Sequence, residues 1–334
     1  MNDLLSGITE LHLHLEGSLS IESAIDIAAG RGHRWGRMTA SELRRSFRFE
    51  SLESFLMSVR GMAEVLCSAE ALERCAYELS LGLFRKGVEY AEVYCSPYIF
   101  VRWGMTYAEV IAAVDRGFTR GEQEGGCFCT ILLDTVRQWG LGCAVAVLDG
   151  HERFPIPRVI GFGMGGQEKN PMSAFIEIFA RARDLGLHTV THAGESSSAD
   201  DVRDAVELLA VERVAHGIRA VDDPVLLAEL VSKQIPLDLA ITSNYRTMSV
   251  KGSHPIRQLL DAGIRVTLST DDPALFRTDL SREYRRAGRL CGISREELAV
   301  IAGNGIDASF APASLKERLH KRLAERVERS AAAV

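Results

Sequence analysis

Residues 172–218 read MSAFIEIFARARDLGLHTVTHAGESSSADDVRDAVELLAVERVAHGI, two helical patterns each followed by a short apolar run. In 172–185 and 201–210 apolar residues return every three or four positions, whereas 187–192 and 213–218 are short and bounded by turn residues. Gly186 stands where a helix C-cap is expected, and Asp200 and Asp201 are candidates for the next N-cap. The alternation continues on both sides. Further runs with strand character lie at 8–14, 88–95, 129–136, 157–163, 235–241 and 264–270. Eight strand–helix units predict a parallel sheet closed as a (β/α)8 barrel, a TIM barrel.

A bare barrel of this kind needs about 250 residues, leaving about 80 to place. Most fall at about 16–86, between the first and second strands, where 52–68 has a clear helical pattern. An insertion there sits over the C-terminal mouth and is expected to act as a lid. The tail, 313–334, predicts a charged amphipathic closing helix. With no linker or repeat, 1–334 is expected to be a single domain.

Hydrophobic residues make up 46% and charged residues 25%, which excludes wholesale disorder. A net charge of −6 disfavours broad contact with nucleic acid or an anionic membrane surface. Met1-Asn2-Asp3 opens no apolar signal core, and no run approaches the roughly 20 apolar residues of a membrane span. Seven cysteines without disulfide-scaffold spacing, including the Cys127–Cys129 pair, predict buried thiols in a reducing, cytoplasmic setting. Nothing in the sequence selects a monomer over a homo-oligomer.

In such barrels chemistry gathers at the C-terminal strand ends. The first strand ends in His12-Leu13-His14, and residues two apart share a face, so both imidazoles aim into the mouth. His192 ends the fifth strand, His216 the sixth, and Asp271-Asp272 the eighth. Four histidines and two aspartates on one rim suit a first-row divalent metal such as zinc, with a position left for water. Neighbouring positions face opposite ways, so one of Asp271 and Asp272 is expected on the metal and the other on substrate or a partner. Glu195, three residues past His192, is placed as a general acid or base. His33, His151, His188 and His320 look structural, and His254 is a candidate cap.

These residues carry a resemblance. Glu10-Leu-His-Leu-His-Leu-Glu-Gly-Ser-Leu19, Thr191-His-Ala-Gly-Glu195, Val214-Ala-His-Gly217 and Ser269-Thr-Asp-Asp-Pro273 resemble the adenosine and adenine deaminases of the amidohydrolase superfamily. Tyr90-Ala-Glu-Val, Thr242-Ser-Asn244 and His254-Pro255 support it, and the match runs from residue 8 to about 310. The resemblance implies one Zn2+ per chain on His12, His14, His192 and Asp271. It implies that His216 contacts the attacking water and helps deprotonate it, that Glu195 protonates purine N1, and that Asp272 bonds N7. Gly166, in Gly161-Phe-Gly-Met-Gly-Gly-Gln-Glu168, would offer its N–H to N3, and Glu16 would face the ribose side.

The chain also departs from the family pattern. Glu16 stands where adenosine deaminases carry aspartate, Tyr94 replaces an arginine, and Gly163 replaces an aspartate. Ala240-Ile241 replaces the usual Cys-Pro. One extra methylene at Glu16 overreaches a ribose 5′-hydroxyl by about 1.5 Å, and Tyr94 with Phe55, Leu56 and Met57 is expected to offer surface to a substituent. The substrate expected is a small-molecule 6-aminopurine. It is either an adenosine-like nucleoside, including a 5′-modified one such as aminodeoxyfutalosine, or free adenine. Another mononuclear amidohydrolase acting on a cyclic C–N bond is the nearest alternative. A cytidine-deaminase type is excluded by the absence of P-C-x-x-C, and a non-catalytic barrel by the retention of every ligand candidate and Glu195.

Overall fold

The computed structural model describes residues 7–332, so the N-terminal Met1-Asn2-Asp3 lies outside the described residues. Eight parallel strands run in sequence order: β1 (Thr9–His14), β2 (Tyr90–Cys95), β3 (Phe128–Val136), β4 (Val159–Gly165), β5 (His188–Ala193), β6 (Arg213–His216), β7 (Leu237–Leu239) and β8 (Val266–Leu268). Past the end of β8 the chain closes the ring. His14 N donates to the Asp271 carbonyl at 2.8 Å, and Asp271 N donates to the His12 carbonyl at 3.0 Å. The expected barrel is present, with each strand within a few residues of its apolar run. Among the described residues no helix is long and apolar enough to cross a membrane.

Between β1 and β2 the chain forms helices Ile21–Gly30, Ala40–Ser46, Leu52–Leu66 and Ala69–Arg85. The last of these belongs to the outer ring and packs along helix Tyr107–Gln123. Gly117 permits that approach, since a Cβ there would lie 2.3 Å from the Glu73 carbonyl. The closing helix, Ala313–Ala332, buries Leu319 and Leu323, and Arg322 and Arg326 pair with Glu89. All seven cysteines are free, and Cys127 and Cys129 are buried.

One cap departs from expectation. Asp200 and Asp201 lie in the first turn of helix Ala199–Glu207, whose N-cap residue is Ser198. Asp201 is drawn away by Arg137, which holds both its oxygens at 2.7 Å; a bidentate guanidinium–carboxylate pair outweighs a single capping bond.

Beneath the mouth, the barrel interior carries a buried ionic cluster. Arg213, fully buried, donates to Glu92 at 2.6 Å, to Asp238 at 2.5 Å and to the Ala308 carbonyl at 2.9 Å. Its guanidinium lies 4.5 Å from the Phe310 ring centroid. Burial opposes its charge, but Asp238 and Glu92 outweigh it and raise its pKa. Arg213→Met leaves two buried carboxyls unpaired and is expected to destabilise the fold by about 3–5 kcal/mol, read from urea unfolding. A loss below about 1 kcal/mol would show that the cluster is solvated.

Candidate active site and metal centre

The closed strand order brings His12, His14, His192 and Asp271 together, with one donor atom from each within 4.8 Å of all the others. The Nε2 atoms of His12 and His14 lie 3.0 and 3.1 Å from that of His192. His12 Nδ1 donates to the Asp238 carbonyl at 3.4 Å and His192 Nδ1 to the Met164 carbonyl at 3.0 Å. With Nδ1 protonated, both rings present an Nε2 lone pair to the same point. Two lone pairs at that distance repel unless a cation lies between them, and carbonyl-anchored imidazoles are the usual orientation of metal-bound histidine. Burial lowers the pKa of all three histidines, which keeps the rings neutral and able to ligate. Burial opposes ionisation of Asp271 as well, but the rings of His12, His216, His14 and His192 hold it below the usual carboxylate range. The donor set fits zinc.

His216 and Asp271 both adopt left-handed backbone, φ +65° and +64°. Non-glycine residues occupy that region at a cost that surrounding contacts must offset. Ser243 Oγ donates to Asp271 Oδ2 at 2.6 Å, turning Oδ1 toward His12 and His14, at 3.6 and 3.4 Å.

His216 sits beside this cluster, its Nε2 3.6 Å from Glu195 Oε2 and 3.8 Å from Asp271 Oδ2. A relay sets its tautomer. Ile256 N donates to His254 Nδ1 at 3.2 Å, so His254 Nε2 carries hydrogen and donates to Asn244 Oδ1 at 3.0 Å. Asn244 Nδ2 then donates to His216 Nδ1 at 3.1 Å, which leaves the His216 hydrogen on Nε2. His254 lies one residue before the N-cap, Pro255, of helix Ile256–Asp261, yet its ring accepts the first helical N–H, and it is also the end of a chain that reaches the site.

Glu195 is held from two sides. Thr247 and Ser249 donate to its Oε1 at 3.1 and 3.2 Å. Glu168 accepts the backbone N–H groups of Glu195, Ser196 and Ser197 at 3.1, 2.7 and 2.7 Å, clamping the turn after β5. Burial, then the charges of Asp271 and Glu168, push the Glu195 pKa up to about 8. Burial, followed by the charge of Asp271, raises Asp272 well above the carboxylate range, and its Oδ1 is buried without a partner.

These groups line one cavity of about 540 Å3, whose wall includes His14, Glu16, Gly166, Glu195, His216 and Asp272. Gly166 has φ +95°, and a Cβ there would stand 2.3 Å from Gln138 Oε1, so the position admits only glycine. Glu16 uses its added length to accept Ser96 N at 2.8 Å, and burial raises its pKa to about 7. Tyr94 is not where it was expected. It pairs with His14 across β1 and β2, lies wholly inside the barrel against His12, His14 and His192, and does not line the cavity. Gly163 makes this possible, since a Cβ there would lie 3.1 Å from the tyrosine ring. The outer wall is instead formed by Phe55, Leu56, Met57 and Trp103.

The model of the adenosine deaminase family matches residues 8–326. The chain belongs to the adenosine deaminase family. Membership makes it a hydrolytic deaminase on an amidohydrolase barrel. It is 34% identical to an adenine deaminase of Geotalea uraniireducens over 92% of this chain and 88% of that one. It is 33% identical to an aminodeoxyfutalosine deaminase of Streptomyces coelicolor over 93% and 81%. Among solved structures, an adenine deaminase from Arthrobacter aurescens superposes with a TM-score of 0.92 at 29% identity, over 97% of this chain and 99% of that one. An amidohydrolase from Burkholderia ambifaria with bound Zn gives 0.91 at 25%, over 99% and 93%.

Removing a donor from the cluster is expected to weaken divalent-ion binding by more than the 10–100-fold typical of an outer partner. Zinc titration of chelator-stripped protein, wild type against Asp271→Ala, measures this. Equal affinities would place the ion elsewhere.

Proposed function

We propose that this deaminase hydrolyses the 6-amino group of a purine, with one zinc ion per chain held by His12, His14, His192 and Asp271. The observation that carries the reading is a buried carboxyl, Glu195, set beside the ligand cluster in the same cavity, where burial raises its pKa and favours the neutral acid. An ion held there supplies Lewis acidity that makes water nucleophilic at neutral pH. Glu195, protonated below its raised pKa, delivers its proton to N1 as oxygen adds to C6. Asp272, also protonated, donates to N7, and the Gly166 N–H faces N3. With its hydrogen on Nε2, His216 donates to the attacking oxygen and holds the charge that develops there, a role different from the base implied by resemblance. Water contributes hydroxide to C6 and a proton that restores Glu195. The C6 hydroxyl proton passes to the amino group, which leaves as ammonia while the 6-oxo bond forms.

The helices between Ile21 and Leu66 act in this reading as the lid of a one-domain enzyme. Its partner is a small-molecule 6-aminopurine. The relatives named as adenine deaminases favour the free base. A nucleoside substituted at N9 is supported by the cavity's size and by its apolar outer wall.

Glu195→Gln is expected to fold and bind zinc but lose about 10²–10⁴-fold in kcat, since an amide has no proton of suitable acidity to give. A variant keeping a tenth of wild-type kcat would move the acid elsewhere. The wild-type pH profile follows from the same group: the acid form is present below a pKa of about 8 and lost above it, so kcat/KM falls as pH rises through that value. A profile flat to pH 10 would contradict it. His216→Gln, which keeps a donor, is expected to retain at least about tenfold more turnover than His216→Ala. Equal losses would restore the general-base role.

A further inference from the structure

The groups proposed for N1, N3 and N7 also determine what meets the remaining nitrogen of the purine. Around the ring the nitrogens run N1, N3, N9, N7. Around the barrel, Glu195 follows β5, Gly166 follows β4 and Asp272 follows β8, in a closed strand order. N9 therefore faces the arc made by β3, β2 and β1.

That arc carries three joined polar residues. Ser96 Oγ donates to Asp134 Oδ2 at 2.7 Å, and Ser96 N donates to Glu16 Oε1 at 2.8 Å. All three line the cavity, and Asp134 is only 4% exposed. Among the described residues Asp134 Oδ1 has no hydrogen-bond partner. Its depth is marked by Gly165, where a Cβ would lie 3.3 Å from Asp134 Oδ1 and 3.1 Å from the His192 ring. The oxygen thus lies close to a ligand histidine, whereas Met57 and Trp103, on the outer wall of the same cavity, are exposed. A buried carboxylate oxygen left unsatisfied by its own protein calls for a donor from the ligand.

We infer that Asp134 accepts the N9–H of a free 6-aminopurine base and so selects the base over N9-substituted nucleosides. This rests on the deaminase reading above and refines it. A 9H-purine offers an acceptor at N7 and a donor at N9. The carboxyl at Asp272, kept neutral by burial and the charge of Asp271, donates. The carboxyl at Asp134, though its pKa is raised to about 8 by burial, is drawn to its ionised, accepting form by the hydrogen bonds of Ser96 Oγ and of the ligand N–H, so the two match that pair. A nucleoside carries carbon at N9, brings no donor and leaves Oδ1 buried and unpaired. Ser96 acts through Asp134 by fixing the plane of its carboxyl, and Glu16 acts through Ser96.

The test compares kcat/KM of the zinc-loaded full chain for adenine, 9-methyladenine and adenosine. Sites built around a substrate N–H reject analogues lacking it by about 10⁴–10⁵-fold, so wild type is expected to favour adenine over 9-methyladenine by at least about 10³-fold. Asp134→Ala is expected to cut turnover of adenine by about a hundredfold and to raise that of 9-methyladenine, since the buried oxygen that rejects it is gone. Should that variant fail to fold, Ser96→Ala keeps the backbone bond to Glu16 and is expected to narrow the adenine preference by about tenfold. Comparable turnover of adenine and 9-methyladenine by wild type, equal losses on both in Asp134→Ala, or an unchanged preference in Ser96→Ala overturns the inference while leaving the deaminase reading intact. If no 6-aminopurine is turned over, the deaminase reading falls and takes this inference with it.

Discussion

Neutral imidazoles converging on a single carboxylate in the barrel mouth form the constraint on which the rest of the site depends. The Nε2 atoms of His12 and His192, 3.0 Å apart and each with its Nδ1 committed to a carbonyl, cannot hydrogen-bond one another. They are stable together only around a cation. The support extends downward through the barrel: the Asp238 carbonyl that orients His12 belongs to the residue that pairs with buried Arg213. Ligand geometry and barrel stability are therefore joined at one strand, β7. The left-handed backbone at Asp271 is held by the closure of the ring, through its bonds to His12 and His14.

Around that centre the carboxyls divide into two kinds. Asp271, ringed by imidazoles, stays ionised, whereas burial raises Glu195, Asp272, Asp134 and Glu16. Carboxyls whose environments push them apart can serve as ligand and as proton donor in one cavity. A protonated Glu195 and a protonated Asp272 suit a heteroaromatic ring rich in acceptors, and that match connects the electrostatics to purine chemistry.

Much of this was legible in the sequence because it follows from periodicity. Strands of period two placed His12 and His14 on one face, and their position at a strand end put them in the mouth. His14, His192, Asp271, Glu195 and Asp272 meet in one cavity for that reason, with His12 buried just behind its wall. Thr247, Ser249 and Glu168 carry no site signal in the sequence, and Asn244 enters only within a supporting motif, since polar residues outside strands look alike until tertiary contacts distinguish them. His254 shows the difficulty: its capping bond is local and foreseeable, while its reach to His216 through Asn244 is not. Tyr94 was misplaced because its location depends on Gly163, two strands away, leaving room inside the barrel. Asp134 carried no signal at all, being one polar residue in an apolar run.

Diffraction from crystals of the zinc-loaded protein, with anomalous data collected on both sides of the zinc edge, tests the central claim most directly. One anomalous peak per chain is expected, about 2.0–2.2 Å from an Nε2 of His12, His14 and His192 and from a carboxylate oxygen of Asp271. Two peaks, or a single peak held by other residues, would contradict the account.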